Sequence, residues 1–223
     1  MMQVLVIGAS RGLGLEFARQ FRTAGARVVA TARSEAGLSA LRALGCEALP
    51  LDLLDAASVA GLGWRLDGER FDAVVLNAGV YGPRTQGLES PTQDDFDTVM
   101  RTNVLGPMRV LPQIEATLAA GAKLMVLSSM MGSIGQRSST TGWLYRASKA
   151  AVNSVLRDAA LTLGPRGITC VAVHPGWVQT DMGGPNASLP PERSVADLRR
   201  LLARLTPDDN GHFLNHDGSP IAW

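Results

Sequence analysis

The sequence predicts a single α/β domain built on a doubly wound parallel sheet of about seven strands. Two observations lead to this fold class. Short apolar runs recur along the 223 residues, and segments with a helical spacing of apolar residues lie between them. Strands that are apolar throughout are typical of a parallel sheet with helices on both faces. Because the chain has no internal repeat and no linker-like composition, residues 1–223 are expected to form one domain.

Six short apolar runs are the predicted strands, and one more strand is expected near the end of the chain. The runs are residues 3–7, 27–31, 46–51, 72–76, 122–128 and 168–173, and the last strand is expected between His212 and His216. After the first run, Leu13, Phe17 and Phe21 recur every four residues and form the apolar stripe of a helix. Another helix is predicted over residues 148–164, and Pro165 follows its end.

Two segments rich in proline and glycine, 81–95 and 183–194, are predicted to be loops. Either could close over a site as a lid or form an ordinary surface loop, and composition alone favours the ordinary loop. Residues 193–205 alternate arginines with valine and leucines. That spacing indicates a helix with a solvated face over an apolar stripe and not a nucleic-acid-binding patch.

Charge and cysteine content narrow the partners and the compartment. The formal net charge is +1, so no overall field attracts nucleic acid or an anionic membrane. The apolar run Val4–Ile7 is too short for a signal peptide or a membrane span. Cys46 and Cys170 lie far apart without metal-ligand spacing, and the spacing of the histidines suits no metal site. We therefore expect a cytoplasmic protein with free thiols, no metal, and no nucleic-acid or membrane partner.

A glycine-rich turn, "GASRGLG", directly follows the first predicted strand. Gly8, Gly12 and Gly14 lie between that strand and the first helix, which is the context of dinucleotide-binding turns. Without side chains, backbone N–H groups and the helix N-terminus can approach a pyrophosphate closely. The spacing differs from the common G-x-G-x-x-G, and other nucleotide folds also turn tightly here. The context nevertheless favours a nucleotide cofactor over a purely structural turn.

Two arginines near this turn predict which dinucleotide is bound. Where an NAD enzyme carries an acidic residue for the ribose hydroxyls, the second strand ends in "ATARSE" and provides Arg33. Arg11 lies inside the glycine turn itself. Two guanidinium groups could bind a 2′-phosphate, although both could also be ordinary solvated arginines. We predict NADP(H) as the preferred cofactor, with NAD(H) possible.

Tyr145 and Lys149 lie one helical turn apart in "LYRASKAAVN" and would share one face of a helix. This spacing alone occurs on many helices by chance. Here a serine-bearing strand end precedes the pair and a cofactor turn opens the chain, so proton transfer is the favoured interpretation. A tyrosine has an ordinary pKa of about 10, and a nearby ammonium group lowers that pKa by stabilising the phenolate. Ser129 could donate a hydrogen bond to a developing oxyanion.

These motifs occur together, and the chain resembles the short-chain dehydrogenase/reductase family over nearly its whole length. The matching stretches are "GASRGLG" (8–14), "LD" (51–52), "NAG" (77–79), "TNVLG" (102–106), "SSMMGSIG" (128–135), "YRASK" (145–149) and "HPGWVQTDM" (174–182). The region after Met182 and the ending "GHFLNHDGSPIAW" are similar to the carbonyl-reductase branch that includes the C-factor and sniffer proteins.

The resemblance implies a catalytic set of Ser129, Tyr145 and Lys149, completed by Asn103. Asn103 would hold a water in a proton relay from Lys149, and the alternative is that it caps or kinks its own helix. Ser129 is preferred to Ser128 because of the "MMG" that follows it.

The resemblance also implies a set of cofactor contacts. These are Gly8, Ser10, Arg11, Gly12, Leu13, Gly14, Arg33, Asp52, Leu53, Asn77, Ala78, Gly79, Tyr145, Lys149, Pro175, Gly176, Val178 and Thr180. Asp52 would contact the adenine, residues 77–79 the ribose side, and Val178 and Thr180 the nicotinamide amide and the phosphates. The sequence departs from the family at Ile7, where threonine is usual, so one hydrogen bond that braces the turn is expected to be missing.

The expected function is an NADPH-preferring oxidoreductase that reduces small aldehydes or ketones. An apolar substrate pocket could be formed by Tyr81, Met130, Met131, Trp143, Trp177 and Met182, or these residues could equally be packing residues. Family members often assemble as homodimers or homotetramers, and the same is expected here. The alternatives are an NADP(H)-binding regulatory or signalling protein, and an S-adenosylmethionine-dependent methyltransferase, which would not need the Tyr145 and Lys149 pair.

Overall fold

The computed structural model describes residues 1–223 and contains seven strands. They are β1 (Gln3–Ile7), β2 (Arg27–Ala32), β3 (Glu47–Pro50), β4 (Phe71–Leu76), β5 (Leu118–Leu127), β6 (Thr169–His174) and β7 (Phe213–Asn215). All pairings are parallel, in the order β3-β2-β1-β4-β5-β6-β7. The strand order therefore reverses direction between β1 and β4. Open α/β sheets bind ligands in the crevice at the carboxyl ends of the strands at such a point.

Eight α-helices cover the two faces of this sheet. They are α1 (Gly12–Thr23), α2 (Glu35–Ala43), α3 (Ala56–Ala60), α4 (Leu62–Arg65), α5 (Gln93–Met100), α6 (Gly106–Ile114), α7 (Trp143–Leu163) and α8 (Pro191–Arg204). A π-helical turn, Arg101–Leu105, joins α5 to α6. None of these helices is both long and apolar enough to cross a membrane.

Alternate residues of each central strand pack into two separate cores. In β1, Leu5 and Ile7 face one core with α3, α4, α6 and α7, whereas Val4 and Val6 face the other with α1, α2 and α8. The Phe17 and Phe21 stripe expected from the sequence lies in the second core. Because both faces are covered, a central strand must be apolar at every position, which explains the continuous apolar runs.

The structure confirms the predicted single domain with a seven-stranded parallel sheet and differs from the expectations mainly at element ends. Strand β5 is longer than the expected 122–128 and begins at Leu118. Helix α7 begins at Trp143, before the expected 148, so Tyr145 lies inside its first turn. The predicted loop 183–194 ends earlier, because α8 begins at Pro191. Helix ends depend on capping contacts that apolar spacing does not reveal.

Candidate active site

A cleft of about 1040 Å³ lies at the carboxyl ends of the central strands. Most of the residues expected to contact a cofactor line it. They are Gly8, Ser10, Arg11, Gly12, Leu13, Arg33, Asp52, Leu53, Asn77, Ala78, Gly79, Tyr145, Lys149, Pro175 and Thr180. The fold therefore brings to one place residues from the turns after β1, β2, β3, β4 and β6 and from helix α7.

Three of the expected contacts do not line the cleft. A Cβ atom on Gly14 would lie 2.2 Å from the carbonyl oxygen of Gly8, so Gly14 lets helix α1 pack against the turn. Gly176 is closely packed against the side chain of Leu189 in the same way. Val178 is only 5% exposed and forms a β-bridge with Leu189. These three residues therefore support the residues that line the cleft through packing contacts.

The glycine turn is braced by side chains from neighbouring strands. Gly8 has φ +84°, and its N–H donates to Oγ1 of Thr31 at the end of β2, with N and O 3.0 Å apart. The Asn77 side chain donates to the Gly8 carbonyl oxygen over 2.5 Å. Ile7, which is buried, contributes no side-chain hydrogen bond. Ile7 therefore does not brace the turn, and Thr31, which was not predicted from the sequence, braces it from β2 instead.

The two arginines of the predicted 2′-phosphate site both line the cleft. Arg33 is exposed and lies beside the N-terminus of α2, where the Ser34 side chain accepts a hydrogen bond from the N–H of Gly37. Arg11 forms an ion pair with Asp181 across the cleft, with Nη1 and Oδ2 2.7 Å apart and both side chains about three-quarters exposed. Two guanidinium groups beside a helix N-terminus form an environment suited to a phosphate. Asp181 had not been predicted.

Tyr145 and Lys149 line the cleft, and the buried Ser129 follows the lining residue Ser128 without lining the cleft itself. Ser129 follows β5, and its hydroxyl oxygen accepts a hydrogen bond from the N–H of Met131. The Lys149 ammonium donates to the carbonyl oxygen of Leu127 over 2.8 Å and lies 5.7 Å from the centre of the Tyr145 ring. All three side chains are buried, at 5–7% exposure. Burial limits competition from water for the hydrogen bonds of this cluster.

Ser128 points away from this cluster. Its hydroxyl donates to Oδ1 of Asn153 on α7 over 2.5 Å, which links β5 to that helix. Ser129, in contrast, lies close enough to the phenol of Tyr145 to lower its pKa, although Ser128 and not Ser129 lines the cleft. Proximity to the phenol therefore favours Ser129, whereas the lining of the cleft favours Ser128.

Asn103 lies in the π-helical turn and is 1% exposed. Its amide nitrogen donates to the carbonyl oxygen of Val80 and to Oγ of Ser148, over 2.8 and 2.9 Å. Its Oδ1 accepts from the N–H of Val80 over 2.8 Å. Both amide hydrogens are thus used to tie the chain after β4 to α7. A proton relay would have to use the second lone pair of Oδ1 or the main-chain carbonyl.

Burial shifts the pKa values of the central pair in opposite directions. Loss of hydration lowers the pKa of Lys149 to about 8, because the buried ammonium is disfavoured. Burial also raises the pKa of Tyr145 well above its usual range; the hydrogen bond with Ser129 opposes this rise and the nearby Tyr81 adds to it. The sequence analysis expected Lys149 to lower the phenol pKa. In this structure burial dominates the pKa of the phenol and Lys149 is not among the groups that shift it, so the phenol is held in its protonated form.

Replacing Lys149 with methionine is expected to stabilise the fold near pH 7. A pKa lowered from 10.5 to about 8 implies a folding cost of about 3 kcal/mol below pH 8, where the ammonium is charged in both states. Methionine removes this cost but also loses the hydrogen bond from the ammonium to the carbonyl oxygen of Leu127, which lowers the stability by about 1 kcal/mol. The variant should therefore be about 2 kcal/mol more stable in urea unfolding at pH 7.

The pH dependence distinguishes this effect from a general packing change. The cost of burying the ammonium declines as pH rises from 8 to 10.5, so the stability difference should shrink over that interval. Lys123→Met is the matched control, because it makes the same change at a lysine whose ammonium donates to the carbonyl oxygen of Ala203 at an exposed position. A stability gain for Lys149→Met that is constant from pH 7 to pH 11 would contradict the prediction.

An aromatic stack covers the phenol of Tyr145. The Tyr81 ring lies against the Tyr145 ring, with centroids 4.6 Å apart and planes at 21°. The Tyr145 hydroxyl lies 4.0 Å from the sulfur of Met182, and the Tyr81 hydroxyl lies 4.0 Å from the sulfur of Met131. Tyr81 and Met182 therefore cover the phenol of Tyr145, and Met131 contacts the Tyr81 hydroxyl.

The other two aromatic residues proposed for the pocket serve neighbouring loops. The Trp143 indole donates to the carbonyl oxygen of Glu89, and the Trp177 indole donates to that of Gly183. Trp177 is 55% exposed at the rim, and Met130 is 36% exposed. The segment 177–189 is closed on itself by backbone hydrogen bonds between Trp177, Gln179 and Leu189. Its tip, Asp181 and Met182, reaches over the cleft.

Comparison with known proteins places this geometry among dinucleotide-dependent oxidoreductases. The family model described as Enoyl-(Acyl carrier protein) reductase matches residues 8–213. The C-signal protein of Myxococcus xanthus is 39% identical over 68% of this chain and 92% of its own length. The 1-hydroxy-2-glutathionyl-2-methyl-3-butene dehydrogenase of Rhodococcus sp. (strain AD45) is 33% identical over the full length of both chains.

Solved structures of carbonyl reductases are also similar to this chain. The carbonyl reductase from Pseudomonas aeruginosa PAO1 in complex with NADP superposes with a TM-score of 0.89 at 33% identity, over all of both chains. The carbonyl reductase Sniffer of D. melanogaster superposes with a TM-score of 0.89 at 27% identity, also over all of both chains. Neither similarity depends on the cleft alone, because the whole sheet and its helices are shared.

Proposed function

The chain belongs to the short-chain dehydrogenase/reductase family of oxidoreductases, and we propose that it reduces small aldehydes or ketones with NADPH, with Tyr145 as the proton donor. The observation that carries this proposal is that Tyr145 and Lys149 are buried and line the cleft, with the buried Ser129 close enough to the phenol to affect its pKa. Arg11, in the glycine turn, and Arg33, after β2, line the same cleft. A cleft that holds both guanidinium groups and a proton donor suits a dinucleotide and a carbonyl compound together.

The residues present fit NADP(H). Arg11 and Arg33 provide two guanidinium groups for a 2′-phosphate, and the glycine turn leaves backbone N–H groups free of side chains. The Pseudomonas relative was crystallised with NADP. When bound, the nicotinamide supplies or accepts the hydride. The protein must then hold the carbonyl compound, exclude water and provide the proton.

In the proposed reduction, the Tyr145 hydroxyl donates its proton to the oxygen of the carbonyl group as negative charge develops there. Burial keeps the phenol protonated until that charge appears, since water cannot solvate an isolated phenolate at this position. The Ser129 hydroxyl donates a hydrogen bond to the same oxygen. Lys149 supplies positive charge that stabilises the phenolate after transfer. Asn103 holds the backbone at Val80 against α7 and so fixes the wall beside Lys149.

Replacing Asp181 with asparagine should tighten NADPH binding about two- to fivefold, because Arg11 would no longer have to leave an exposed ion pair worth up to about 1 kcal/mol. NADH binding should tighten less, since NADH has a pyrophosphate but no 2′-phosphate for Arg11 to contact. Fluorescence titration of each reduced cofactor measures both affinities. Asp158→Asn makes the same charge change at an exposed position on α7 outside the cleft and is the control. Equal tightening for NADH and NADPH would mean that Asp181 acts only through general charge.

NADPH consumption by the purified protein with a panel of aldehydes, ketones and quinones tests the proposed function. Turnover with any of these carbonyl classes, faster with NADPH than with NADH, is the expected result. Absence of turnover together with measurable NADPH binding would oppose the reductase and favour a signalling protein that binds NADP(H). The similarity to the C-signal protein is the observation that supports this second candidate.

We also propose that the protein forms a homo-oligomer through helices α5, α6 and α7. Phe96 on α5, Met108 on α6 and Leu161 on α7 are exposed apolar side chains, at 44%, 53% and 66% exposure. Exposed apolar groups on neighbouring helices are typical of subunit interfaces. Light scattering coupled to size-exclusion chromatography measures the number of subunits directly.

A further inference from the structure

We propose that Tyr81, backed by Arg84, is a positioning residue that fixes the ring of Tyr145 and keeps its hydroxyl away from water. This inference rests on the proposed function, because it concerns the proton donor of that reaction. Tyr81 follows the "NAG" segment after β4 and belongs to none of the expected catalytic or cofactor sets. Its side chain nevertheless makes the most extensive aromatic contact of the phenol.

The stack has three layers. The Tyr145 ring is covered by the Tyr81 ring, with centroids 4.6 Å apart and planes at 21°. The guanidinium carbon of Arg84 lies 4.8 Å from the Tyr81 centroid, within the range of a cation–π contact. Arg84 also donates to the main-chain carbonyl oxygen of Met182 over 2.7 Å. The outer layer is thereby tied to the segment whose methionine sulfur faces the Tyr145 hydroxyl.

The surrounding backbone is shaped to receive Tyr81. Gly142, at the start of α7, has φ +67°, and a Cβ atom there would lie 2.4 Å from the Tyr81 hydroxyl oxygen. The N–H of Gly142 also donates to the carbonyl oxygen of Thr85, which joins the Tyr81 loop to the helix that carries Tyr145. A larger residue at 142 would push the Tyr81 ring out of the stack. The two rings therefore occupy a site built from both segments.

The stack affects the chemistry because proton donors depend on position. Misplacement of a reacting group by about 1 Å can reduce a rate by as much as about 100-fold. Tyr145 lies in the first turn of α7, where its backbone is held less firmly than in the middle of the helix. Stacking restricts its ring from one face, and the Tyr81–Arg84 layer also keeps water from the hydroxyl. Removal of Tyr81 should therefore both mobilise the ring and hydrate it.

Kinetics of Tyr81→Ala, with Tyr81→Phe as the matched control, form the first half of the test. We expect Tyr81→Ala to lower kcat by about tenfold or more, with an unchanged Kd for NADPH. Tyr81→Phe keeps the ring and should remain within about twofold of the wild type. In Tyr81→Ala the alkaline limb of the kcat–pH profile should move to lower pH, because a hydrated phenol loses its proton more easily. Arg84→Ala removes only the outer layer and should lower kcat about two- to threefold.

The second half needs no turnover, because Tyr81 and Tyr145 are the only tyrosines in the chain. Labelling tyrosine with carbon-13 at Cζ therefore gives two NMR signals, and Tyr81→Phe leaves that of Tyr145 alone. The Tyr145 signal should titrate above the pH of free tyrosine in the wild type and in Tyr81→Phe. It should titrate at lower pH in Tyr81→Ala and, to a smaller extent, in Arg84→Ala.

The outcomes separate this inference from the proposed function. An unchanged Tyr145 titration and an unchanged kcat in Tyr81→Ala would overturn the positioning role while leaving the reductase intact. A rise in KM without a change in kcat in Tyr81→Ala would also overturn it, since Tyr81 would then contact only the substrate. A loss of kcat in Tyr81→Phe as large as that in Tyr81→Ala would overturn it as well. If the wild type reduces no carbonyl compound but the titration shifts as expected, the stack is supported and the reductase proposal fails.

Discussion

Replacing Tyr145 with phenylalanine is expected to reduce kcat for carbonyl reduction by about 10³-fold. The substitution removes only the hydroxyl, and general acid catalysis by one positioned group contributes about 10²–10⁴-fold. The Tyr145 hydroxyl makes few contacts that stabilise the fold, the distance to the Met182 sulfur being 4.0 Å. The Kd for NADPH should therefore remain within about twofold of the wild type, and thermal stability should be unchanged. Steady-state kinetics and a cofactor titration on the same preparation measure both effects.

The chain provides a matched control for this experiment. Tyr81→Phe makes the same chemical change 4.6 Å away in the stacked ring and should leave kcat nearly normal. If Tyr145→Phe retained a near-normal rate, the proton would come from another group and the mechanism proposed here would be wrong. If both variants lost activity equally, the hydroxyl of Tyr81 would share the chemistry.

Removing both arginines of the expected 2′-phosphate site should weaken NADPH binding by about 10²–10⁴-fold. Hydrogen bonds between charged partners contribute about 1.5–3 kcal/mol each, and every 1.4 kcal/mol is a tenfold change in affinity. Each single variant, Arg11→Ala or Arg33→Ala, should cost about one half of this free energy. NADH affinity should change little, because the guanidinium groups have no phosphate partner in that cofactor. The ratio of the two dissociation constants is the quantity to measure.

The ion pair between Arg11 and Asp181 complicates the single variant at Arg11. Arg11→Ala leaves an unpaired carboxylate beside the cleft, which would also repel the phosphate groups common to both cofactors. Combining it with Asp181→Asn removes that repulsion and isolates the guanidinium contribution. Arg42→Ala, at an exposed arginine of α2 that pairs with Glu35, is the control outside the cleft. Equal weakening of NADH and NADPH by Arg33→Ala would show that Arg33 shapes the cleft and does not read the phosphate.

Features that depend on local periodicity were predictable from the sequence. The apolar runs predicted the strands, since a strand covered on both faces must be apolar at each position. The glycines at 8, 12 and 14 and the pair at 145 and 149 were recognisable because short spacings define a turn or one face of a helix. Predictions of this kind succeeded for the fold class, the single domain and the family. Their boundaries were less accurate because capping contacts decide where helices begin.

Features that depend on distant residues required the tertiary structure. Thr31 braces Gly8 and Asp181 pairs with Arg11 across 170 residues of sequence, and no spacing rule connects such positions. The stack of Tyr81 on Tyr145 is of the same kind. The direction of the Tyr145 pKa shift was missed for a related reason. Sequence spacing showed a cation one turn away, but burial dominates the pKa of this phenol. The depth of that burial is decided by how the whole chain packs.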